Sequence, residues 1–211
     1  MRRRWLTGGM IATALATALG GAGCSVLPGQ PYLERRDWPL VVRRPEGLPA
    51  ALPSRTDRRV LLVRTIQAGP GLETRGLQTV RKDGDVQTAF YEQWTVPPAE
   101  AVDDDLRRWL ADSGVFAAVV GPGSRLTADL VLDGELLTLH ADLATMTASA
   151  ALALVLIDQR PSPARIMLDR TEAASVALEG TDPPALVRAQ RAAVAAVLRQ
   201  TEMDLANAGR P

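Results

Sequence analysis

The sequence predicts an α+β fold, a mainly antiparallel β-sheet with two helices packed on one face. Three observations carry that expectation. From Arg58 to Leu178 the chain reads largely as apolar or alternating runs broken by Gly, Pro and Asp turn signals. Two stretches, one after Pro97-Pro98 and one after Asp182-Pro183-Pro184, switch to helical spacing. The strand runs follow one another through short connections, which favours an antiparallel meander over parallel βαβ units.

Each element has its own local reason. Arg59–Val63 is a short apolar run ended by Gly69-Pro70-Gly71, as for a buried first strand. Leu77–Lys82 and Val86–Trp94 flank Asp83-Gly84, a dipeptide suited to a two-residue hairpin turn. Phe90 and Trp94 fall on one face of the second arm and Tyr91 on the other, so this strand is expected to be covered on both sides. Pro97-Pro98 stops it and starts a helix, where Val102, Leu106, Trp109 and Leu110 form one stripe and Gly114 is the stop. Asp103, Asp104 and Asp105 are read as helix-start electrostatics. Val115–Val120 returns to the sheet, and Leu126–His140, Ala144–Ile157 and Arg165–Leu178 are three long strands. The second helix runs to about Ala206, with Leu186, Ala189, Ala193, Val197 and Leu205 on its apolar side. Arg188, Arg191, Arg199 and Glu202 mark its wet side.

The N-terminus has a different character. Arg2, Arg3 and Arg4 precede an uncharged, mostly apolar or small stretch, and Gly21-Ala22-Gly23 lead into Cys24, the single cysteine of 211 residues. This is the layout of a lipoprotein signal peptide over 1–23, with Cys24 as the lipidated mature N-terminus. Gly21 stands where the usual lipobox has Leu. Several acyl chains anchor stably where one does so only marginally. Residues 24–57 carry Pro28, Pro31, Pro39, Pro45, Pro49 and Pro53 and read as a proline-rich tether, leaving 58–211 as the folded domain. Ser25, rather than Asp, follows the cysteine; by the sorting rule of bacterial lipoproteins this favours the periplasmic face of the outer membrane. The chain has 24 basic and 24 acidic residues; removing three signal arginines and no acid leaves 21 against 24. Such a balance offers no electrostatic reason for nucleic-acid binding.

A catalytic, cofactor-binding or metal-ligating constellation does not emerge. His140 is the only histidine and ends a strand pattern, so it reads as a partly exposed polar residue. With Cys24 lipidated, no second histidine or thiol remains for a zinc site. Gly121-Pro122-Gly123-Ser124 is neither a nucleophile elbow nor a phosphate loop, but a connector. No carboxylate spacing selects an acid–base pair.

Tyr91-Glu92-Gln93-Trp94-Thr95-Val96-Pro97-Pro98, then Leu106, Leu110 and Gly114-Val115-Phe116, and the glycine-bearing strand Leu130–Leu136 together resemble the ABC-type transport auxiliary lipoprotein family. The resemblance spans roughly Arg59–Ala206, with a longer proline-rich tether than usual. It implies a non-catalytic accessory of a lipid transport system. The implied partners are a mammalian-cell-entry domain conduit with its permease and ATPase, and a homo-oligomer would match a symmetric conduit. Trp94, Pro97 and Pro98 read first as core packing and helix initiation, and second as a contact for partner or lipid. Two other classes compete: an outer-membrane assembly or pilot-type lipoprotein supporting a β-barrel or secretin, and a periplasmic enzyme built on His140.

Overall fold

The computed structural model describes residues 33–49 and 59–208. The signal segment, Cys24 and the rest of the expected tether lie outside the described residues. The compact unit discussed below falls within Glu34–Pro211. Its first elements are β1 (Arg36–Trp38), β2 (Val60–Val63), β3 (Gln67–Ala68), β4 (Gly76–Val80), β5 (Val86–Trp94) and α1 (Pro98–Ser113). Then come β6 (Ala118–Val120), β7 (Leu130–Asp142), β8 (Thr147–Asp158), β9 (Arg165–Ala177) and α2 (Pro183–Ala208). The fold is α+β, with two helices and a mixed, mostly antiparallel sheet.

Strand β7 is the spine of that sheet. One edge pairs antiparallel with β8 from end to end, and β8 pairs antiparallel with β9. The other edge receives three parallel strands in succession: β2 at Leu130–Leu132, β3 at Glu135–Leu136 and β4 at Ala141–Asp142. β6 joins β2 in parallel, β5 joins β4 antiparallel, and β1 lies parallel to β5. The meander therefore holds for β7–β9 and for the β4–β5 hairpin but not for the pairs along that second edge. The physical reason is connection length. β3, β4, β5, α1 and β6 separate β2 from β7, and β5, α1 and β6 separate β4 from it, ample chain for a parallel return.

Burial follows the two periodicities. Ala148, Ala150, Leu152, Leu154 and Leu156 of β8 are buried, while Thr147, Ser149, Ala151, Ala153, Val155 and Ile157 between them are half-buried on the other face. Ala150, Leu152, Leu154 and Leu156 share a core with Leu106, Trp109 and Leu110 of α1 and Val194, Val197 and Leu198 of α2, while Ala148 packs with Ala141, Leu178, Leu186 and Ala189. Pro98 opens α1 without a side-chain cap, and Gly114 closes it in the left-handed conformation at φ 69°.

Two expectations need correction here. Strand β5 is not covered on both sides: Phe90 is 65% exposed and Tyr91 42%. β1 flanks only Glu92–Trp94, and in the hairpin half from Val86 to Tyr91 every side chain except the half-buried Ala89 is exposed. The second correction concerns α2, where Glu202 is buried rather than wet.

Gly134, within the glycine-bearing strand, sits where a Cβ would lie 2.6 Å from Ile66 Cδ1 and 3.0 Å from Leu154 Cδ2. Gly134→Val is expected to cost about 1–3 kcal/mol through overpacking, read as a lower urea midpoint. An unchanged midpoint would show that Ile66 and Leu154 yield without cost.

Candidate functional site

The segment expected to be a spacer is instead docked along the folded body over Arg36–Pro49. Trp38, Leu40 and Val42 alternate inward, with Leu40 and Val42 in the core, while Pro39, Val41 and Arg43 are exposed. The prolines do not prevent this, because β1 is an edge strand of three residues and Pro39 lies just beyond it. Trp38 Nε1 donates to Glu92 Oε2 at 2.7 Å, and Thr95 N donates to Trp38 O at 2.9 Å. That alternation of Trp, Leu and Val between prolines was the available signal, hidden by reading proline frequency as extension.

Two buried carboxylates fasten the strap to the helices. Asp105 of α1, fully buried, accepts from Val42 N at 2.7 Å and from Arg108 Nη2 at 2.6 Å. Glu202 of α2, 4% exposed, accepts from Arg44 Nε at 3.0 Å, Arg44 Nη2 at 2.9 Å and Trp109 Nε1 at 2.8 Å. Arg44 also donates to the Leu48 and Pro49 carbonyls, which turns the strap back on itself. Its hydrogen bonds to Glu202 hold the guanidinium above its ordinary pKa, against the cost of burial. Burial pushes the Asp105 carboxyl up, while Arg108 and the Val42 amide act against it. The acidic triple is thus not helix-start electrostatics. The only acid in the first turn of α1 is Glu100; Asp103 and Asp104 pair with Arg107, and Asp105 grips the strap.

The remaining sequence candidates are scattered. Trp94 is 1% exposed in the core, Pro98 is buried and Pro97 half-buried, so the Trp94 ring presents no surface to a lipid or partner. His140 is half-buried on β7, opposite Ser149, and burial lowers its pKa despite nearby Asp142. Gly121–Ser124 is a turn with Ser124 N donating to Gly121 O. Among the described residues, no group of three or more His, Cys, Asp or Glu is arranged to hold a metal ion. No helix among them is long and apolar enough to cross a membrane.

One carboxyl pair escaped sequence reasoning because its members lie on different elements. Glu172 of β9 is buried, and desolvation and the adjacent Asp204 of α2 raise its pKa to about 7. Asp204, despite its own desolvation, is drawn low by hydrogen bonds from Glu172, Gln200 and Arg170. A carboxyl whose folded pKa exceeds its unfolded value favours the folded state at low pH. That contribution is lost as pH rises between about 4.5 and 7. Glu172→Gln, which keeps a donor toward Asp204, should therefore stabilise the protein relative to wild type at pH 8 more than at pH 5. Melting curves at the two pH values check this, and an equal difference at both would refute the protonated Glu172.

The strap, the helix clamps and the Trp94–Pro98 helix start can be set beside known proteins. A family profile described as ABC-type transport auxiliary lipoprotein component matches residues 44–201, well over half of the chain. The chain belongs to that family. Comparison of this auxiliary lipoprotein with curated proteins gives no match. Its fold is similar to the crystal structure of a DUF330-family protein from Xanthomonas campestris, at 21% identity and TM-score 0.63 over 81% of this chain and 92% of that one. A crystal structure of an uncharacterized protein aligns at 14% identity and TM-score 0.62, over 82% of this chain and 97% of that one. Family membership gives this auxiliary lipoprotein a role alongside an ABC transport system and an association with a membrane.

Proposed function

We propose that this auxiliary lipoprotein is held by acyl chains on Cys24 at the periplasmic face of the outer membrane. There it docks the mammalian-cell-entry conduit of a lipid-transporting ABC system without catalysing a reaction itself. The observation that carries the reading is the family match across 44–201. The signal layout of Met1–Cys24 supports the anchor, and the docked strap supplies its mechanics. Nine residues lie between Cys24 and Glu34, where the compact unit begins, so ten fully extended steps reach at most about 36 Å. A free tether over 24–57 would span up to about 120 Å. Pull on the lipid is delivered through β1 to Asp105 and Glu202, and so to both helices.

Crosslinking in native membranes followed by purification of the auxiliary lipoprotein tests the partner. Recovery of a mammalian-cell-entry protein with its permease and ATPase is expected. Recovery of a β-barrel assembly factor or a secretin in their place would overturn the transport reading.

A further inference from the structure

One end of the compact unit gathers exposed apolar and basic side chains close to Arg35, near the start of the described chain. β1 runs parallel to β5, with Arg36 opposite Glu92, so Arg35 ahead of it lies on the side of the start of β5 and the Arg81–Asp85 turn. Arg35 lies 5.1 Å from the centre of the Phe90 ring, on that same course. Phe90 packs edge-on against Tyr91 at 5.0 Å between centroids, and both are exposed, as is Val86 at 58%. Arg81 and Lys82 at the tip face Leu143, Ala144 and Met146 of the β7–β8 turn across an open groove of about 650 Å³. Asp83 and Asp85 share the tip; Asp83 Oδ1 accepts from the Asp85 amide. At the far end of the sheet, Arg59 and Arg160 are both paired with Asp158.

We propose that this hairpin end rests on the bilayer that holds the Cys24 lipid. In that pose Val86, Phe90, Tyr91 and Met146 enter the headgroup boundary, and Arg35, Arg81 and Lys82 meet phospholipid phosphates. Aromatic rings and long cationic side chains are the residues that settle at membrane interfaces. The proposal rests on the anchor reading above and adds an orientation to it. The reach of the link favours this end. The hairpin tip at Asp83-Gly84 is about 25 Å from Arg35 along β5, within the reach of ten extended steps, whereas the β8–β9 turn lies beyond β4 and β7 at the opposite end of the sheet, a longer path.

The test uses the absence of any other cysteine. In the lipidated protein, Val86→Cys or Ile166→Cys supplies a single thiol for a fluorophore, the second at the far end and equally exposed. Each labelled protein is reconstituted in phosphatidylethanolamine–phosphatidylglycerol vesicles containing a nitroxide headgroup lipid. Quenching several-fold stronger at 86 than at 166 is expected. Adding Phe90→Asp and Met146→Asp should lower it to the far-end level while the protein still floats with the vesicles. Equal quenching at both positions in a floating protein overturns the orientation alone. Protection of position 86 from aqueous iodide without lipid quenching assigns the patch to a second copy of the chain and overturns it too. Failure of the lipidated protein to float overturns the anchor reading, and the orientation with it.

Discussion

Replacing Glu202 by leucine is expected to destabilise the protein by about 3–5 kcal/mol, because it strands a buried guanidinium and an indole N–H together. The Arg44 and Glu202 side chains are 8% and 6% exposed, so solvent cannot readily take over either partner. Trp109 Nε1 loses the same acceptor. The pair is not intrinsically more stabilising than well-packed apolar side chains, and that sharpens the test. Arg44→Met combined with Glu202→Leu should recover most of the loss in urea denaturation. A second readout follows from the strap: in Glu202→Leu the segment around Arg43 becomes a trypsin site under native conditions. A single-variant cost below about 1 kcal/mol would mean that Arg44 escapes to water and that the clamp is weak.

The second large effect is on location rather than stability. Cys24→Ala, exported behind an ordinary cleavable secretory signal, is expected to move from the membrane fraction to the soluble periplasm almost completely. Its melting curve should match wild type, since the compact unit begins only at Glu34. The size of the effect comes from lipid arithmetic, in which each buried methylene contributes about 0.8 kcal/mol and two chains anchor where one does not. Persistence in the membrane after the transport partner is deleted would sink the anchoring claim. The ordinary signal is needed because an uncleaved lipoprotein signal would itself hold the chain in the membrane.

Local chemistry was legible where local chemistry decides. Pro97-Pro98 and Gly114 bracket α1, since proline suits the first turn and glycine the left-handed stop. Val86–Trp94 is legible to the residue as β5, and Asp83-Gly84 as its turn, with Gly84 at φ 86°. The strap is hard to see in the chain although its alternation of Trp38, Leu40 and Val42 is present there, because six prolines over 24–57 suggest an extended tether. The exposure of Phe90 and Tyr91 was not legible at all. Aromatic residues on two faces of a strand describe its side chains, not what stands beside it.

Local sequence was enough for the kinds of element other than β1 and β3, for the family pattern around Trp94–Pro98 and for the expectation of a lipid on Cys24. These depend on periodicity, turn residues and contiguous motifs, all of which act within a few neighbours along the chain. Tertiary structure alone decided that β7 accepts three parallel strands on one edge, that Arg44 meets Glu202 across 158 residues, and that Asp105 seizes the Val42 amide. The reason is that burial belongs to a place, not to a residue type. Glu202 falls at helical spacing like a solvent-facing acid, and it is covered by Trp109 of α1 and by Arg44 of the strap arriving from the other end of the chain.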